Sequence, residues 1–440
     1  MRRERAQTRN RRNEAQRRVK ASALLCLLYP VITLNGAFLM TTVTVPRHRW
    51  LIPLYGAGVI VFSTMYLTQP ILPQLSLEYG IAPVTAGLSV SVVVVMIALG
   101  SLVAGPLSDR LGRWPVMVGS VLLLSIPTML CALAPSFIVL LVGRGLQGLC
   151  IPGLTAVAVA YLGDRLPAGE LGRAVGGWIA ANVAGGLSGR VVGGLISDSF
   201  GWRASFIVFA GLALASGMSL VFMLPRDRQT PATTAGWRQA YRAMFTHLAD
   251  PYLRYAYLIG GTLFFGFLGV FTYLPYYLTS PPFQLPPAIV ALAYISYLAG
   301  VIVSPWAGAL SARYSSTRLI AVGLLIAMAG IGLTLVASLP AIALGLWTLC
   351  TGMFVAQGIA PALVNRLAIE AKGAASALYL VAYYLGGTLG GVVPGLGWQI
   401  AGWPGVTAIC LSALALALLA NYRLGRAVVQ TDDLRQPAVR

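Results

Sequence analysis

From residue 50 onward the chain alternates between long apolar runs and short polar breaks. The runs cover 50–72, 84–107, 114–134, 136–162, 173–197, 203–224, 253–279, 287–310, 317–337, 340–363, 373–396 and 403–424. About 20 apolar residues make a helix long enough to cross a bilayer, and every run reaches that length. The runs carry many Gly and Pro, which would weaken a helix in water. In lipid the backbone must bond to itself, so helix is the predicted conformation of all twelve. The longest internal break, 225–252, divides them into six and six, 50–224 and 253–424, with a tail at 425–440.

The polar breaks give a direction. The breaks near 108–113, 163–173, 225–254, 311–318 and 364–372 hold thirteen cations, from Arg110 and Arg113 to Arg366 and Lys372, whereas the alternate breaks hold only Arg203. Cationic loops stay on the cytoplasmic side, so the first set is expected there, with residue 50 and the tail. The N-terminus resists this scheme. Residues 2–20 hold nine Lys or Arg, and 21–45 form another apolar run broken by Pro30, Asn35 and Gly36. If that run crossed the membrane, the basic tail would face outward. Segment 1–49 therefore reads as an interfacial segment, a cleaved signal-like segment, or an over-extended start with Met40 as initiator.

Composition agrees with lipid as the solvent. Charged residues make up 10% of the chain and hydrophobic ones 58%, against about one quarter charged in soluble domains; mean hydropathy is +0.79. The net charge of +19 sits in loops and tails, which fits membrane topology and not nucleic-acid binding. Cys26, Cys131, Cys150, Cys350 and Cys410 all lie in apolar segments without CxxC spacing, and His48 and His247 are far apart. No metal site and no cofactor are expected. A membrane enzyme would need an acid pair, an HExxH run or a nucleophile elbow, and none is present.

The two halves repeat. Gly105-Pro-Leu-Ser-Asp-Arg-Leu aligns with Gly308-Ala-Leu-Ser-Ala-Arg-Tyr, and Gln147-Gly148 with Gln357-Gly358. Gly185-Gly186-Leu-Ser-Gly-Arg-Val-Val aligns with Gly386-Gly387-Thr-Leu-Gly-Gly-Val-Val, and Gly201-Trp202 with Gly402-Trp403. The order is kept and the offset stays near 200, as a duplicated six-helix unit requires. Two such bundles would enclose a central cavity.

Three motifs carry the chemistry. Gly105, Leu107, Asp109, Arg110, Gly112 and Arg113 fit the pattern G-x-L-x-D-R-x-G-R between the second and third runs. Arg144-Gly-Leu-Gln147-Gly148 fits R-x-x-Q-G in the fourth. In the fifth, Gly185 to Gly194 fits g-x-x-x-G-P-x-x-G-G, except that Arg190 stands in place of Pro. Through these motifs residues 50–424 resemble the major facilitator superfamily. Tyr66-Leu-Thr-Gln69-Pro70-Ile-Leu-Pro73 and Ser188-Gly189-Arg190 further resemble YnfM-type inner-membrane permeases, a group placed among efflux carriers. The resemblance implies an all-α membrane protein of two six-helix bundles in the cytoplasmic membrane. It also implies a cytoplasmic latch at Gly105–Arg113, with Gly105 at a close helix approach, and a role for Arg144 in proton coupling. Arg190 in place of Pro removes a kink, adds a charge and weakens the antiporter resemblance.

Arg144 and Arg190 both fall roughly 12 Å below the outer surface at 1.5 Å per residue. A cation at that depth faces a cavity or a partner. Arg144 is read either as a cavity cation, with Gln147 beside it, or as a cap on backbone carbonyls. For Arg190, Asp198 two turns on is a candidate partner and proton site, an anionic substrate or helix-end carbonyls being the alternatives. Gln69, Asn182, Tyr273, Tyr276, Tyr379, Tyr383 and Tyr384 are candidate cavity residues, and Asn365 a helix cap. With no P-loop, an ion gradient is the expected driver, and the absence of an acid at mid-membrane keeps uniport or substrate-linked coupling open. The sequence thus points to a monomeric secondary carrier moving a small molecule by alternating access, as proton-coupled efflux or as uptake or exchange of an organic anion.

Overall fold

The computed structural model describes residues 48–226, 246–311, 313–368 and 372–435. The N-terminal segment before His48, most of the 225–252 connection, Ala312, residues 369–371 and the last residues of the tail lie outside them. Residues from Trp50 onward form one compact unit, and among the described residues there is no strand.

Each of the twelve apolar runs falls on helix. We number the helices α1 (Leu51–Tyr66), α2 (Leu72–Tyr79), α3 (Pro83–Leu111), α4 (Arg113–Ala132), α5 (Phe137–Thr155), α6 (Ala158–Arg165), α7 (Ala168–Phe200) and α8 (Trp202–Met223). Then come α9 (Pro251–Thr279), α10 (Pro287–Leu292), α11 (Leu298–Leu310), α12 (Ser316–Leu333), α13 (Leu339–Leu367), α14 (Lys372–Gly390) and α15 (Val393–Arg435). Among the described residues ten helical stretches are long and apolar enough to cross a membrane, and Pro287–Val303 is a shorter apolar one. One stretch, Gly373–Arg426, has 54 residues. At 1.5 Å per residue it far exceeds one crossing, and it breaks at Ala401 and Gly402. These counts are consistent with twelve passes.

The termini obey ordinary capping rules. Ser136, Ser315 and Ser338 accept a backbone N–H from the third helical residue at the starts of α5, α12 and α13. Asp250 does the same for α9, where Pro251 occupies the first position. Pro70 and Pro73 interrupt the first span: α1 stops at Tyr66, a 3₁₀ turn covers Gln69–Ile71, and α2 resumes at Leu72.

The internal repeat reappears as packing. Gly185 and Gly189 of α7 lie against the backbone of α1, where a Cβ would strike the carbonyls of Val59 and Ser63. Two hundred and one residues later, Gly386 and Gly390 of α14 lie against α9, at the carbonyls of Gly261 and Phe265. Small residues let membrane helices approach this closely. The Gly-Trp pairs match as well. Gly201 and Gly402 both take left-handed φ, 82° and 60°, and start a helix whose tryptophan is buried. The Trp202 indole N–H donates to Glu78, and that of Trp403 to Thr334 Oγ1 at 3.1 Å. Helices of 50–224 meet helices of 253–424 mainly through α3 against α14 and α7 against α10.

Candidate functional site

Arg190 of α7 lies at this second contact and is 0% exposed. Its Nε donates to Gln69 Oε1 at 2.6 Å, and its Nη1 to the Gly186 carbonyl at 2.6 Å. Gln69 in turn donates from Nε2 to Thr272 Oγ1 of α9 at 3.3 Å. The guanidinium carbon lies 3.7 Å from the ring centre of Tyr66, 4.3 Å from Tyr297 and 5.5 Å from Tyr294. Among the described residues Nη2 has no hydrogen-bond partner.

Local structure explains the clustering. The helix break after Tyr66 sets Gln69 inward, buried, instead of continuing the α1 face. Tyr294 and Tyr297 sit in a 3₁₀ turn, Ala293–Tyr297. At three residues per turn they eclipse one another, so both rings address the same cation. A buried charge is costly unless paired or hydrogen-bonded. Two acceptors and three ring faces stabilise this one, and a desolvated cation–π contact contributes about 2 kcal/mol.

An aromatic wall adjoins the cation. Phe264, Phe267 and Phe271 occupy one face of α9 at helical spacing. Tyr297 packs edge-on against Phe267 and Phe354, at 5.0 and 6.3 Å. Tyr383 lies flat on Phe264 at 4.1 Å with Tyr384 at its edge, and Tyr379 is 6.2 Å from Tyr383. Tyr66, Tyr383 and Tyr384 are half-buried. The hydroxyls of Tyr297 and Tyr379 are buried without partners among the described residues.

Arg144 is a different kind of residue. It is 0% exposed and bonded on every nitrogen. Nε donates to the Ser89 carbonyl (3.0 Å), Nη1 to the Thr64 carbonyl (2.7 Å) and Gln147 Oε1 (2.6 Å), and Nη2 to the Met65 carbonyl (2.6 Å). Gln147 completes the set by donating to Thr128 Oγ1 at 2.8 Å. The arginine therefore clamps α1, α3 and α5 together, the carbonyl-capping alternative of the sequence reading. Asp198 is corrected: it is exposed at the end of α7, and the partners of Arg190 are Gln69, Gly186 and the tyrosines.

The remaining candidates separate by place. Tyr276 joins α9 to α2: its hydroxyl lies 2.7 Å from Ser76 Oγ and donates to the Leu72 carbonyl at 3.1 Å. Ser91 Oγ donates across to the Thr388 carbonyl at 2.7 Å, beside Gly87 and Gly391. Tyr273 donates to the Gly391 carbonyl at 3.0 Å and so braces α9. Asn182 lies one turn from Trp178, near Gly58. Asn365 accepts from Ser376 Oγ at 2.9 Å, joining α13 to α14 rather than capping a helix. In the Gly105–Arg113 motif Asp109 and Arg110 are exposed, Gly112 turns the chain with φ 95°, and Arg113 binds Asp164 and the Ala160 carbonyl of α6. The close approach expected at Gly105 is absent: a Cβ there would meet nothing within 4 Å.

Two bundles of this topology, joined at α3–α14 and α7–α10, can be matched to known proteins. The Major Facilitator Superfamily profile matches residues 54–391. The chain belongs to that superfamily. Among its superfamily relatives is the inner membrane transport protein YnfM of Escherichia coli strain K12, 35% identical over 378 residues, which cover 86% of this chain and 91% of YnfM. The MFS-type transporter YybF of Bacillus subtilis strain 168 is 32% identical over 378 residues, 86% of this chain and 94% of YybF. The fold also superposes on solved transporters. A point mutant of the nucleoside transporter NupG gives a TM-score of 0.71 at 12% identity, covering 85% of this chain and 99% of that one. A D-xylose–proton symporter gives 0.68 at 16%, covering 85% and 96%. At these identities the likeness shows the fold alone.

For a superfamily carrier, the site lacks an obvious sequence mark beyond Arg190 and Gln69. Thr272, Tyr294 and Tyr297 carry no such mark, because a hydroxyl-bearing side chain in an apolar run looks the same in sequence whether it faces lipid or a neighbour. The one available signal was the Tyr-x-x-Tyr spacing of Tyr294 and Tyr297 opposite a helix bearing a buried cation.

Proposed function

We propose that this protein is a secondary active transporter of the cytoplasmic membrane that exports a small molecule in exchange for protons. The two six-helix bundles, 50–224 and 253–424, rock about the Arg190 site. The observation that carries the reading is the site's position. Arg190, Gln69 and Tyr66 come from one bundle, and Thr272, Tyr294 and Tyr297 from the other. Any relative rotation of the bundles must therefore break or remake contacts to a buried charge. Alternating access needs such a shared site. The outer contacts of Tyr276 with Leu72 and Ser76 supply one gate, and the Gly105–Arg113 motif supplies the opposite latch. Efflux is supported by the resemblance to permeases of that kind.

Organic-anion uptake or exchange is the second reading, favoured by the unpaired Nη2 of Arg190. The test is transport in inside-out vesicles, using a compound that raises the melting temperature of the purified protein. Proton-coupled efflux predicts accumulation driven by an acid lumen and abolished by a protonophore. Release of preloaded compound under the same gradient would establish proton-linked uptake instead.

A further inference from the structure

Resting on the transport reading, we propose that the Arg190 site takes a small monocarboxylate with a flat aromatic body. The charge requirement comes first. Among the described residues every Asp and Glu lies in a loop or near a helix end. Among the described residues no carboxylate pairs with Arg190, and Asp198 is exposed. No described carboxylate neutralises the guanidinium, yet it is wholly buried. Gln69 and Gly186 occupy Nε and Nη1, which leaves Nη2 as an unfilled donor. The Tyr297 hydroxyl, also unfilled, belongs to a ring 4.3 Å from the guanidinium carbon. An anion is the ligand chemistry that uses both donors, because each requires an acceptor and the site requires negative charge. One cation matches one negative charge; a dianion would leave an unbalanced charge in a medium of low dielectric.

The body of the ligand follows from what surrounds that donor pair. Tyr66 lies face-on to the guanidinium, and Tyr297 continues into Phe267 and Phe354. Flat apolar walls of this kind favour ring stacking and edge contacts with an aromatic group. Tyr66, half-buried, is the ring that must swing aside for a carboxylate to reach Nη2.

The experiment is a thermal-stability series on the purified full chain with benzoate, benzamide, benzylamine and acetate. Benzoate is expected to raise the melting temperature, and benzamide and benzylamine to leave it unchanged. Acetate should act only at roughly 100-fold higher concentration, the factor for burying one ring. Arg190→Gln should weaken benzoate binding roughly 100-fold, with Arg190→Lys intermediate, provided the ligand-free melting temperatures stay close to wild type. If Arg190→Gln does not fold, the benzoate–benzamide comparison on the wild type decides alone. Benzamide or benzylamine equal to benzoate, no effect of benzoate, acetate equal to benzoate, or benzoate binding unchanged in Arg190→Gln each overturns the assignment. These are binding measurements, so an error in transport direction or coupling leaves them unaffected. A protein that transports a neutral compound and ignores benzoate refutes this inference while the carrier reading stands.

Discussion

Two buried arginines do opposite work, and the difference lies in their acceptors. Arg144 is saturated by three carbonyls and Gln147. Arg144→Ala orphans those buried acceptors at about 1–3 kcal/mol each. The expected outcome is a lower melting temperature of the purified protein, with any loss of transport following from it. Arg190 is under-satisfied, so Arg190→Gln should abolish transport in vesicles while shifting the melting temperature little. Equal destabilisation by both substitutions would place Arg190 with the structural residues. The sequence exposed both arginines readily, since a cation in an apolar run has few innocent explanations. It left their roles open because acceptors on other helices are invisible in one dimension. The same limit hid Tyr294 and Tyr297, which only the fold brings around Arg190.

At the scale of elements, the glycine seams matter most. Gly189 faces the Ser63 carbonyl across α1 and α7, and Gly386 faces Gly261 across α9 and α14. Gly189→Val inserts three carbons where backbone already touches; overpacking costs about 1–3 kcal/mol and more when the obstacle is backbone. The variant should show reduced folded yield by fluorescence-detected gel filtration, and Gly386→Val should match it. Gly56→Val, at a position with no atom within 4 Å of a Cβ, should be neutral in the same assay. The outer closure is an element-scale device too. Tyr276→Phe removes the bonds to Leu72 and Ser76, worth about 1 kcal/mol each, and should shift the population toward an outward-open form. Longer separations between spin labels at Leu77 and Ile400 would report that shift. These seams were legible as matched Gly runs at an offset of 201. The partner of each seam was not, because helix neighbours in a bundle need not be neighbours in sequence.

For the whole molecule, hydropathy and loop charge carried most of the information. The twelve runs all lie on helix. What the pattern of runs did not reveal is which helices bridge the sets, and that pairing of α3 with α14 and α7 with α10 is what creates a shared site. The central claim is that the sets move as two bodies about Arg190. Paired distance measurements by electron spin resonance in proteoliposomes test it most directly. One pair of labels, Leu77 and Ile400, reads the outer face, and the other, Leu111 and Tyr314, reads the inner face; all four positions are exposed. On imposing a proton gradient with a stabilising ligand present, the outer separation should lengthen as the inner one shortens, and Arg190→Gln should suppress the exchange. Distances that stay fixed during transport, or that lengthen together on both faces, would contradict the account.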